Sequence, residues 1–241
     1  MTQIWAHRGA SRYAPENTVP AFELAVAHGA EGVELDVQLS SDGQLVVIHD
    51  ETLERTTDGT GRVVDHSLAR LRTLDASAGH DGFEGVRIPT LTEVLEVVAP
   101  TTLTVNIELK NSEVDYPGME EKVLAAVAAF ELGPRVVLSS FNHYSVRKLR
   151  SLAPDAALAA IYTDPLFRPW RYAKTLGVGA IHPPAPCVFG PGFVSKAHKA
   201  GIAVRPWVVN GERALRWMFR CGVDAVFTDA PDFALTVRDA G

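Results

Sequence analysis

Cysteine is nearly absent from this chain: Cys187 and Cys221 are the only two. Two thiols do not make a disulfide framework or a cysteine-rich zinc site. Positive charge is also in deficit, with 23 Lys and Arg against 29 Asp and Glu and a formal net of −6. That balance argues against a general attraction to nucleic acid or an anionic membrane, while leaving room for a locally positive pocket. Long apolar runs are missing too. The longest stretch without a charged side chain, residues 175–195, is broken by Pro183, Pro184, Pro186 and Pro191, so no membrane span is expected. The N-terminal MTQIWAHRG lacks the basic and apolar regions of a secretory leader. A soluble, cytoplasmic protein is the expectation.

What is present is an ordinary globular composition, 46% hydrophobic and 22% charged over 241 residues. Short β-rich runs alternate with amphipathic stretches along the whole chain. Strands are expected at residues 4–7, 32–39, 103–109, 136–139, 157–161, 180–182, 203–207 and 225–228, with 44–48 as an extra ladder partner of the second. Helices are expected at about 19–28, 91–98, 119–131, 144–152, 170–176, 193–200, 212–219 and 233–238. Gly29, Gly133, Gly177, Gly201 and Gly222 each follow a helical run, where a left-handed terminal residue suits glycine. Eight strand–helix alternations in this length favour a (β/α)8 TIM-like barrel over a doubly wound sheet. The first strand leads into HRGAS, which has a single glycine and is no dinucleotide loop. One segment exceeds the minimal barrel: residues 50–89, rich in Gly, Asp and Thr, read as an insertion after the second strand unit. No composition shift marks a second domain, so residues 1–241 are expected to form one.

Chemistry concentrates at strand ends. Side chains two apart on a strand share a face, so Glu34 and Asp36 in GVELDVQL both project inward with Leu35 outward. Two adjacent acids repel, and a hard divalent cation relieves that; a solvated strand end with ordinary ion pairs is the alternative. The next strand repeats the pattern, with Asn106, Glu108 and Lys110 on one face. Glu108 offers a third oxygen ligand and Lys110 a charge for a phosphate oxygen, or the two form a structural pair. His7 and His49 each end a strand, where imidazole can exchange protons at neutral pH. Arg8 can present a phosphate-matching fork. Glu16 and Asn17 precede the first helix and read either as site residues or as its N-terminal cap region. Trp207 reads as an apolar wall for a substrate or as a core aromatic.

From AHRGASRYAPENT through VELDVQLSSDGQLVVIHDETLERTTDGTG, IPTLTEVL and NIELK to SSFN, PWVVN and FTDAPD, the sequence closely resembles the glycerophosphodiester phosphodiesterases. The resemblance implies a TIM-like barrel with an insertion after the second strand. It also implies hydrolysis of glycerophosphodiesters to sn-glycerol 3-phosphate and an alcohol, aided by one divalent cation, Mg2+ or Ca2+. By the same resemblance Glu34, Asp36 and Glu108 are the metal ligands and His7 and His49 the acid/base pair. Arg8, Lys110, Glu16 and Trp207 belong to the substrate side. Two rivals carry different signatures. A membrane-acting phosphodiesterase barrel would want an exposed apolar loop or a secretory signal, and neither is evident in the sequence. A catalytically silent phosphodiester-binding barrel would be expected to lack a histidine or an acid, and none is missing.

Overall fold

The structure is a computed structural model that describes residues 1–241. In chain order the elements are β1 (Gln3–His7), α1 (Val19–Ala27), β2 (Gly32–Leu39), β3 (Leu45–Val47), α2 (Leu68–Leu71), α3 (Leu91–Val98), β4 (Thr104–Leu109), α4 (Met119–Ala129) and β5 (Val136–Ser140). There follow α5 (His143–Leu152), β6 (Ala157–Ile161), α6 (Pro169–Leu176), β7 (Ala180–His182), α7 (Pro191–Lys199), β8 (Ala203–Val204), α8 (Glu212–Cys221), β9 (Ala225–Thr228) and α9 (Pro231–Asp239). The hydrogen-bonded order is β8-β7-β6-β5-β4-β2-β1-β9, all parallel, with β3 antiparallel on β2. Backbone bonds from Asp224 N–H to the Val204 carbonyl and from Phe227 N–H to the Pro206 carbonyl bring β9 against the β8 segment. The result is a nearly closed eight-stranded barrel ringed by helices.

Alternation within each strand divides the side chains. Ile4 and Ala6, Val33, Leu35 and Val37, and Val105, Ile107 and Leu109 point outward into one large core between sheet and helices. Trp5, Val137, Ala159, Ala180, Ala225 and Phe227 fill the barrel's interior. Trp5 fits there because its ladder neighbour is Gly32: a Cβ on that glycine would lie 2.6 Å from the indole ring. The polar residues of the same strands are thereby left to the C-terminal rim.

Three expectations need correction. The strand expected over 203–207 is regular only at Ala203–Val204, because Pro206 has no N–H to donate; Arg205 and Trp207 still bond the Ile181 and Pro183 carbonyls. The left-handed residue after α4 is Glu131, φ +54°, not Gly133, which starts a 3-10 turn. An exposed apolar loop does exist: Phe167 is 88% and Phe189 67% exposed, on the segments following β6 and β7. Neither aromatic lies in a hydrophobic run long enough to be noticed in the sequence.

The insertion packs onto β3. Val46 and Ile48 join Leu53, Val63, Leu71, Leu74, Ala76 and Ile88 in a small core of its own, which fixes the chain between His49 and Thr90 beside the barrel mouth.

Candidate active site at the barrel mouth

Register decides which polar side chains meet. β1 pairs His7 with Glu34; β4 pairs Asn106 with Glu34 and Glu108 with Asp36; β5 pairs Ser139 with Glu108. The inward residues thus stack in tiers at the C-terminal end of the barrel, the face on which barrel enzymes build their sites. Glu34, Asp36 and Glu108 are buried and each brings an oxygen to within 4.8 Å of the other two.

Such crowding has an electrostatic cost. Burial, and then the charges of Asp36 and Glu108, raise the Glu34 pKa well above the usual carboxylate range. Burial and the Asp36 charge raise Glu108 to about 7, despite Lys110. Asp36 goes the other way: burial would raise it, but Arg8, His49 and Lys110 outweigh that and hold it low. Asp36 Oδ1, Glu108 Oε1 and Asn106 Oδ1 are buried without a hydrogen-bond donor. Lys110 Nζ stands 3.1 Å from Glu108 Oε1, a charge contact too poorly directed to be a hydrogen bond. Orphaned oxygens on Asp36 and Glu108, in a cluster of three mutually repelling acids, fit a hard divalent cation, which would satisfy the oxygens and remove the repulsion. The group can hold such an ion.

The two histidines flank this cluster on the wall of a 550 Å³ cavity, with Arg8, Glu34, Glu108, Lys110 and Trp207 also in the wall. His7 Nδ1 lies 2.7 Å from Asp229 Oδ1. Asp229 also accepts from Asn210 Nδ2 at 2.5 Å and from Ser11 Oγ at 3.2 Å. Burial would raise the Asp229 pKa, yet the bonds from His7, Asn210 and Ser11 more than offset it, so it stays ionised. An ionised carboxylate only accepts, so His7 Nδ1 carries a proton, and in the neutral form of the ring Nε2 holds the lone pair. His49 repeats the device: its Nδ1 is 2.5 Å from Asp50 Oδ1, and its Nε2 is 3.2 Å from Lys110 Nζ. Burial first, then Arg8 and Lys110, push the His49 pKa below its ordinary value, so the ring is neutral near pH 7.

The remaining residues form the support. Glu16 is not in the cavity wall: its Oε1 accepts from Arg8 Nη1 at 2.7 Å and Arg55 Nη2 at 2.8 Å, and its Oε2 from Arg55 Nη1 at 2.7 Å. Arg55 reaches on to Asp50, with Nε 2.5 Å from Oδ2, so the insertion braces His49 through Asp50. Arg8 gives its backbone N–H to Glu34 at 2.8 Å, and its Nε is 3.3 Å from Asp36 Oδ2, an ion contact without hydrogen-bond alignment. Asn17 does not cap α1, whose N-cap is Thr18; it donates Nδ2–H to Asp36 Oδ2 at 2.8 Å. Trp207 donates its indole N–H to the His182 carbonyl at 2.8 Å and packs edge-on against Phe141, centroids 5.8 Å apart.

Asp229, Asn210, Asp50 and Arg55 carry weight here that the sequence did not assign, and His182 carries more than the weak role its strand-end position suggests. His182 ends β7, lines the cavity, and places Nε2 3.3 Å from Arg205 Nη1. A guanidinium can only donate, so Nε2 accepts and the His182 proton sits on Nδ1. Burial, then the Arg205 charge, drives its pKa well below normal. Of these five, only Asp229 (FTDAPD), Asn210 (PWVVN), Asp50 and Arg55 (HDETLER) fell within quoted motifs; position in a motif was the one available signal.

Fold and rim chemistry together place the chain among the (β/α)8 enzymes. Comparison with known proteins narrows the class. Residues 7–233 match the glycerophosphoryl diester phosphodiesterase family. A glycerophosphodiester phosphodiesterase of Caldanaerobacter subterraneus subsp. tengcongensis is 42% identical over 242 residues, covering 100% of this chain and 99% of that one. Another, from Bacillus altitudinis, is 44% identical over 247 residues, with 99% of each covered. Among solved structures, an Oleispira antarctica phosphodiesterase in complex with the product sn-glycerol-3-phosphate superposes with a TM-score of 0.88 at 33% identity, over 99% of this chain and 97% of that one. The chain belongs to the glycerophosphoryl diester phosphodiesterase family, and so to the phosphoric diester hydrolases.

Proposed function

We propose that this enzyme hydrolyses glycerophosphodiesters to sn-glycerol 3-phosphate and an alcohol, using His7 and His49 for proton transfer. The observation that carries the reading is the convergence of oxygens from three buried acids, two of which, Glu34 and Glu108, line one cavity with both histidines. Glu34, Asp36 and Glu108 would hold one divalent cation, Mg2+ or Ca2+. When bound, that ion supplies positive charge against the nonbridging phosphate oxygens. Arg8 and Lys110 contribute charge of the same sign from the cavity wall, where it draws in and orients a phosphodiester anion. One histidine, unprotonated at Nε2, takes the proton of the attacking oxygen, water or a glycerol hydroxyl. The other, protonated at Nε2 in the substrate complex where the phosphodiester anion favours the imidazolium, gives that proton to the departing alkoxide. Each transfer typically contributes about 10²–10⁴-fold. Trp207 and Phe141 form an apolar wall suited to the glycerol carbons. Glu16 acts from behind, by holding Arg8 in place.

In this reading residues 1–241 act as one domain, with the insertion as the brace of His49. The protein works in the cytoplasm, a location supported by two free, buried cysteines. Turnover of a glycerophosphodiester panel, followed by phosphorus NMR with Mg2+, Ca2+ or chelator, tests the proposal. Cation-dependent release of sn-glycerol 3-phosphate is expected; a cyclic phosphate as the only product, or full turnover in chelator, overturns it. Glu108→Gln and His7→Ala should each lose at least about 10²-fold in kcat.

A further inference from the structure

We propose that the face built by residues 165–171 and 189–196 is a docking surface for an anionic lipid bilayer, which it holds beside the barrel mouth. Phe167 and Phe189 project from it, most of each ring in water. Trp170 and Phe193 lie beneath, their ring centroids 5.7 Å apart, with Phe189 6.4 Å from Phe193. These rings and Leu166 line one shallow groove of 790 Å³. Three cations, Arg168, Arg171 and Lys196, line the same groove, no carboxylate does, and none of the three has an ion-pair partner anywhere in the chain. In a protein of net charge −6 this is a local reversal of sign.

Exposed aromatics among unneutralised Arg and Lys suit a bilayer's edge, where rings enter the headgroup and acyl boundary and cations meet anionic headgroups. A second copy fits poorly, because a two-fold contact would set Arg168, Arg171 and Lys196 against their own copies. The face is also continuous with the cavity. Leu166 and Phe167 line a second groove together with Phe141, Ile161 and Thr163, and those three belong to the cavity wall. A bilayer seated there would lie beside the opening through which substrate enters.

Vesicle binding is measured without substrate and so stands apart from the hydrolytic reading; turnover serves only as a control that the variants keep an intact site. The full chain is co-sedimented with phosphatidylcholine vesicles, and with vesicles in which about a third of the lipid is phosphatidylglycerol. Binding at least about tenfold tighter to the anionic vesicles is expected, weakened by added salt. A Phe167→Ser, Phe189→Ser double variant and an Arg168→Gln, Arg171→Gln, Lys196→Gln triple variant should each lose about tenfold or more of that binding. Both should keep their melting temperature and their turnover of soluble glycerophosphocholine, since none of these side chains lines the cavity. Absence of binding to anionic vesicles, or binding that survives both variants, overturns the proposal. A concentration-dependent dimer abolished by the double variant also overturns it and assigns the face to a second copy.

Discussion

His7 and His49 each have one ring nitrogen committed to an aspartate, and that commitment is what makes the other nitrogen useful. His7 was visible in the sequence because it ends a strand; Asp229 was not, because it is 222 positions away and only barrel closure brings it near. The pair can be dissected by Asp229→Asn. Asn210 Nδ2 donates to Asp229 Oδ2, so an amide at this position turns its oxygen toward Asn210 and its NH2 toward His7. His7 Nδ1 must then accept, and the ring proton moves to Nε2, the wrong tautomer for a base. Steady-state kinetics should show kcat falling by roughly 10²-fold or more with KM little changed. A proportional rise in KM with kcat intact would instead make Asp229 a substrate ligand. Asn17 teaches the same lesson in reverse. A polar residue before a helix reads as a cap, yet here it turns back to hold Asp36, while Thr18 takes the N-cap position and gives its hydroxyl to the Pro15 carbonyl.

At the scale of elements, the strands were legible because inward and outward faces differ so sharply in polarity. GVELDVQL and TVNIEL declare both their period and their rim residues. The connections were less legible, since their conformations depend on what they touch. The turn after β1 is an example: Gly9 has φ +82° and passes so close to α1 that a Cβ would sit 2.6 Å from the Ala21 backbone carbon. Gly9→Ala should therefore lower the unfolding free energy by roughly 2–3 kcal/mol. Urea denaturation should report this as a lower midpoint at unchanged slope. Because Arg8 precedes Gly9 and gives its backbone N–H to Glu34, the same variant should also bind the cation more weakly. An unaltered midpoint would mean that α1 yields to the added methyl group. The insertion could be read from composition as an excursion, but its small core and the reach of Arg55 to Glu16 and Asp50 depend on contacts across 39 and 5 positions that no local pattern encodes.

For the molecule as a whole, a divalent cation held by Glu34, Asp36 and Glu108 would compete with protons for the same carboxylates, and folding stability should register the contest. The folded pKa of Glu34 and Glu108 is raised, Glu108 to about 7 against an ordinary 4.5. Below pH 4.5 both groups are protonated whether the chain is folded or not, and they cost nothing. As the pH rises toward 7 the unfolded chain ionises first, so the cation-free protein loses stability through that window. A bound cation holds the carboxylates ionised and cancels the loss. His182 slopes the opposite way: its folded pKa is far below 6.5, so its contribution is present above pH 6.5 and fades as the pH falls. That slope is common to the protein with and without metal and drops out of the difference. The rise in melting temperature on adding Mg2+ or Ca2+ should therefore be small at pH 5 and grow up to about pH 7–8, with affinity changing by about tenfold per pH unit for each proton displaced. Glu108→Gln removes the titrating group that the cation displaces a proton from, so its metal-induced shift should be smaller and flatter with pH. A cation-induced shift in the native protein that is the same at every pH would mean that the ion binds somewhere other than among these three acids.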